Sequence, residues 1–176
     1  KLSNDILSNY KMYDENKIIV DKMPFNFKWI GLIKILFPKA KVIHSNRNLI
    51  ESTFSIYRNL FDTPGMGWAY NQEYLVRYVS LYNDLMNFWQ NKIGNFIHEY
   101  HYEKLVANQL SETKKILKFC NLEFEDQCIN YTENKTTVST VSVLQARQKI
   151  YKSSVNLSEK YLNYFPFLNQ LKKKAP

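Results

Sequence analysis

Apolar residues recur along this chain at two spacings, and the switches between them predict its elements. Ile18, Ile19 and Val20, within Lys17–Val20, form a short β-branched run closed by Pro24, the mark of a buried strand. Val42 and Ile43 predict a second strand and Phe96–Tyr102 a third. Between the first two, Trp29, Leu32, Ile33 and Leu36 recur at helical spacing until Pro38, with Asn26 as the expected cap. Asn48 followed by Glu51 is a capping-box pattern opening a helix striped with Ile50, Phe54, Tyr57 and Phe61. Leu75, Tyr78, Tyr82, Leu85 and Trp89 mark the longest helix. Shorter helices are expected over Leu2–Met12, Ser111–Cys120 and Pro166–Leu171. Asp62–Gly67, with Pro64, Gly65 and Gly67, reads as a loop, and Thr132–Val155 as an irregular segment.

Strands alternating with helices predict one α/β domain around a parallel sheet of three recognisable strands. Ligands of such sheets bind outside the carboxyl ends of the strands, so the polar residues just after each strand are the candidates for chemistry.

Composition narrows the classes. Hydrophobic residues make up 45% and charged residues 23%, ordinary globular proportions. Lys and Arg outnumber Asp and Glu by 24 to 16, a formal charge of +8, which suits an anionic ligand, a nucleic acid or an acidic partner without choosing among them. Two cysteines, Cys120 and Cys128, make no disulfide framework and no zinc pattern. No apolar run has the length of a membrane span and no signal peptide is visible, which sets the expectation of a cytoplasmic protein. The chain opens at Lys1 within what reads as a helix, so an upstream segment is expected.

After the first expected strand, Lys22 projects either toward a bound phosphate or sulfate or, as an ordinary loop lysine, into water. After the second, Arg47 stands at the strand end and Ser55 two helical turns further on. A helix start, a guanidinium and a hydroxyl together grip a dianionic phosphate, the helix supplying its dipole and backbone N–H groups. The alternative is that Ser52 and Ser55 form a solvent face. After the third strand, Tyr102 either stacks on a purine or joins the core.

The order and spacing of these runs are more specific than any one of them. Asp21–Lys22–Met23–Pro24, then Phe37–Pro38–Lys39–Ala40–Lys41, then Arg47 with Ser55, then Tyr102–Glu103–Lys104–Leu105 resemble the PAPS-dependent sulfotransferases. The likeness is greatest to the bacterial tetratricopeptide-repeat sulfotransferases and the tyrosylprotein sulfotransferases. It extends through Val138–Gln148 and Tyr151–Lys152–Ser153–Ser154.

The resemblance implies a three-layer, nucleotide kinase-like fold and transfer of a sulfuryl group from PAPS to an acceptor hydroxyl or amine, leaving PAP, with no metal. It implies that Arg47 and Ser55 bind the 3′-phosphate, that Tyr102 contacts the adenosine portion, and that Lys22 and Ser142 stabilise the transition state. Ser142 to Tyr151 matches a segment that closes over the donor, making Gln145 and Arg147 further expected contacts. The family's phosphate-binding loop and general base are not found among these residues, so the isolated chain is expected to be inactive. After Ser153–Ser154 the family pattern usually carries a basic residue and then Trp, whereas Leu157 and Ser158 stand in that region here. The rival readings are a nucleotide- or nucleic-acid-binding module without chemistry and a non-catalytic remnant. The dispersion of the basic residues argues against nucleic acid.

Overall fold

A β-branched run becomes a strand only where another run lies beside it to share its hydrogen bonds. In the computed structural model, which describes residues 2–9, 17–61, 64–133, 150 and 155–174, that condition is met twice. Strand β1 (Val42–Asn46) pairs in parallel with β2 (Ile97–His101), setting His44 opposite Glu99 and Asn46 opposite His101. The first expected strand is corrected: residues 18–23 carry no regular structure, and Ile18 and Val20 are exposed. Their β-branched character favours an extended backbone, but no described strand lies alongside to complete a ladder. The sheet among the described residues therefore has two strands where three were expected.

Helices cover both faces of this small sheet. Side chains alternate along a strand, so His44 and Glu99 share one face and His98 points from the other. The first face meets helix α4 (Gln72–Ile93) through Tyr82, and the second meets α6 (Gln109–Cys120) through Phe119, which stacks on His98. Before β1 lie α1 (Leu2–Ser8), a 3₁₀ turn at Pro24–Trp29 and α2 (Ile30–Leu36); α3 (Leu49–Tyr57) follows β1, and α5 (Tyr102–Ala107) follows β2. A mostly helical chain with a parallel pair at its centre is compatible with the expected α/β class.

Local chemistry explains several element ends. Asn71 and Asn108 cap α4 and α6 by accepting from the amides of Tyr74 and Ser111. Asn121 ends α6 in the left-handed conformation, at φ 59°. Gly65, at φ 86°, makes the turn that a side chain would strain, and the Tyr70 hydroxyl closes the same loop against the backbone of Phe61. Asn26 does not cap a helix; it lies inside the 3₁₀ turn, which starts at Pro24. The final Pro166–Lys174 segment winds as a 3₁₀ helix, placing Phe167, Leu168 and Leu171 in the core formed by Leu49, Phe54, Leu75 and Val79. A second cluster joins Ile30, Met86, Phe96 and Ile97, and Tyr82 touches both.

Candidate functional site

The carboxyl ends of β1 and β2 lie side by side, and each chain turn there delivers one of the expected residues. Arg47 leaves β1 and Tyr102 opens α5 directly after β2. Parallel pairing in this register places the Arg47 guanidinium carbon 5.1 Å from the centre of the Tyr102 ring, a cation–π arrangement joining residues 55 positions apart. The two residues come together, as a phosphate and a purine contact of one nucleotide site would have to.

The helix start beside them is organised differently from the sequence pattern. Asn48 Oδ1 accepts from the amides of Ile50 and Glu51, at 2.9 and 3.2 Å, which is half of a capping box. The other half is absent: the Asn48 amide donates to Glu103 Oε1 at 3.0 Å, so a carboxylate from α5 fills the place expected of Glu51. The Glu51 carboxylate is buried and turned elsewhere. Its Oε1 accepts from the Ser158 amide at 2.8 Å and from the Ser158 hydroxyl, while its Oε2 lies 3.7 Å from Arg47 Nη2. The expected grip of a phosphate by the α3 amides is thus corrected for Ile50 and Glu51, whose N–H groups the cap already occupies. The positive features at this end of α3 are the Arg47 guanidinium and the helix dipole.

Ser55 lies half-buried in the second turn of α3; the side-chain amide of Asn59 donates to its carbonyl at 2.7 Å. Lys22 is exposed in the irregular stretch before Pro24, so it does not stand at the end of a strand as expected. Ser142, Gln145 and Arg147 lie outside the described residues.

Sequence reasoning missed a polar chain beneath this site. His44 Nδ1 lies 2.7 Å from Glu99 Oε2, and its Nε2 contacts the Tyr82 hydroxyl. The partners dictate the tautomer: Nδ1–H donates to the carboxylate, and Nε2 accepts from the Tyr82 O–H. Burial pushes the His44 imidazole below its ordinary value, a shift that the Glu99 hydrogen bond and charge only partly oppose. Burial, with Glu99 adding to it, pushes the Tyr82 phenol up to about 12. With both ring nitrogens engaged, His44 cross-links the strands and is not poised as a general base. Its one advance signal was a histidine inside an apolar strand.

Among the described residues, no group of three or more His, Cys, Asp and Glu could hold a metal ion, and no helix is long and apolar enough to cross a membrane. The chain is similar to an uncharacterized protein of Aquifex aeolicus (strain VF5), 34% identical over 156 residues, which are 88% of this chain and 20% of that protein. It therefore spans about a fifth of the length of that relative. The profile described as the sulfotransferase family matches residues 2–126, a stretch that includes both strand ends, and the chain belongs to that family.

Proposed function

We propose that this chain holds the nucleotide donor PAPS for transfer of its sulfuryl group to an acceptor hydroxyl or amine, on a nucleotide kinase-like three-layer scaffold. The observation that carries this reading is the Arg47 guanidinium lying over the Tyr102 ring at the paired strand ends, in a chain of the sulfotransferase family. A planar cation beside an aromatic face suits a ligand that combines a phosphate dianion with a purine. In this assignment Arg47 and Ser55 hold the 3′-phosphate and Tyr102 meets the adenosine portion. Gln145 and Arg147 add contacts from the later segment.

PAPS supplies the activated sulfuryl group, and PAP is the leaving nucleotide. The protein's work is alignment and neutralisation of charge rather than covalent chemistry. The ammonium of Lys22 and the hydroxyl of Ser142 act on charge that grows on the leaving phosphate, so their contacts strengthen as the reaction proceeds.

Calorimetric titration of the full-length protein with PAP tests the assignment. Arg47→Ala should weaken PAP binding by about 2 kcal/mol, roughly thirtyfold, and Arg47→Lys by less, because lysine keeps the charge but loses the planar fork. Unchanged PAP affinity in Arg47→Ala would remove Arg47 from the site.

A further inference from the structure

The Glu51 carboxylate sits where a capping box would send it back to the Asn48 amide, four residues after Arg47. It does not make that bond, because Glu103 reaches over from α5 and takes the amide. Glu51 is instead nearly inaccessible, at 4% exposure, and a buried carboxylate is costly unless its lone pairs are met. Ser158, 107 residues away and itself buried, meets Oε1 with two donors, its amide and its hydroxyl. That leaves Oε2 as the atom directed at Arg47.

The Arg47 contact has an informative length. At 3.7 Å, through Nη2, it is longer than the 2.7–2.9 Å of a tight charge-assisted bond, so Glu51 and Arg47 do not form a bidentate fork with each other. It is an electrostatic tether. The Tyr102 ring restrains the guanidinium from one side and Glu51 from another. Restraint of this kind reduces the orientational entropy lost when a ligand phosphate binds.

We propose that Glu51 and Ser158 are positioning residues for Arg47: Ser158 fixes the Glu51 carboxylate, and the carboxylate presents the guanidinium to the ligand phosphate. This rests on the reading of Arg47 as the 3′-phosphate contact. It assigns a role to Ser158, in a region where the sequence departs from the pattern of relatives. It also makes the substitution of Glu103 for Glu51 at the α3 cap part of the site's design, since that exchange releases Glu51 for Arg47.

The discriminating variant is Glu51→Gln. Its amide oxygen remains with the two Ser158 donors, which turns the NH₂ group toward Arg47 and sets donor against donor. The probes are PAP and 5′-AMP, which differ by the 3′-phosphate, titrated into the full-length protein. Glu51→Gln should weaken PAP about tenfold and leave 5′-AMP within twofold. Ser158→Ala should weaken PAP by about threefold alone and add nothing in the Glu51→Gln background. A purely structural role would weaken both nucleotides together, and that result, or PAP affinity unchanged in Glu51→Gln, overturns the proposal. If Arg47→Ala is silent and the wild type does not favour PAP over 5′-AMP, the site reading itself fails, whatever Glu51 does.

Discussion

Leu75, Leu168 and Leu171 are completely shielded from water, whereas Ile18, Val20 and Ile35 are 70%, 85% and 77% exposed, although the second group comes from the more continuously apolar runs. The first group lies where α3, α4 and the Pro166–Lys174 helix close on one another from three sides. The second lies around the approach to β1, where α2 buries Ile30 against Met86 but turns Leu32 and Ile35 outward. Residues of α2 are apolar nearly all round, IGLIKIL, a pattern expected of a fully covered helix. The comparison teaches that apolar periodicity reports which residues ask for cover, while the number of neighbouring elements decides which receive it.

Substitutions on the two sides should make the difference measurable, and the largest effect belongs to the closed cluster. Leu168→Ala removes a fully buried side chain held from three sides, where little collapse can follow, and should cost about 3 kcal/mol in urea unfolding.

Next comes the joint between the regions, Tyr82, which touches both clusters. Its phenol is raised from the ordinary 10.0 to about 12, so between those pH values the folded chain keeps a proton that the unfolded chain has released. Stability should therefore fall as pH rises through that window, by roughly 2–3 kcal/mol in total, and Tyr82→Phe should abolish that alkaline slope in urea midpoints. His44 has the opposite sign. Its imidazole is lowered, so its contribution is complete above the ordinary value of 6.5 and is lost as pH falls below it.

Gly31 sharpens the comparison within the open region itself. A Cβ there would lie 2.7 Å from Trp89 Cη2, and the Trp89 indole is pinned by its hydrogen bond to the Phe27 carbonyl. Gly31→Ala should therefore show a net loss of about 1 kcal/mol, the clash exceeding the gain in helix propensity. A stabilising result would mean that the Trp89 contact yields easily.

The smallest effect should come from Ile35→Ser on the outward face of α2, within about 0.5 kcal/mol of wild type. A loss comparable to that of Leu168→Ala, measured in the full-length protein, would show that another element covers this face there.

Much of the scaffold was legible from local pattern. The strand-forming runs at Val42–Asn46 and Ile97–His101, the long α4 and the Asn48 cap were visible in local pattern, which side-chain alternation and helical spacing report directly, although the two strands exist only by pairing with each other. Arg47 and Tyr102 were legible for the same reason, because each stands immediately after a strand. The reading failed where the deciding partner is remote. Lys17–Val20 has the composition of a strand, but a strand needs a neighbour, and no described strand supplies one. Pro166–Leu171 has the spacing of a helix and a helix forms there, but local pattern did not show that it would be a 3₁₀ helix packed on α3 and α4.

By itself, then, the sequence determined where the backbone turns from strand to helix and which polar residues stand at those turns. Tertiary structure alone decided that Glu103, 55 residues away, caps α3, that Glu51 answers to Ser158, 107 residues away, and that His44 joins Glu99 and Tyr82. Spacing rules describe neighbours along one element. A buried carboxylate or imidazole must instead satisfy its hydrogen bonds with whatever donors and acceptors the assembled layers bring within 3 Å or so, and those are set by the parallel register of β1 and β2 and by the return of the chain over α3.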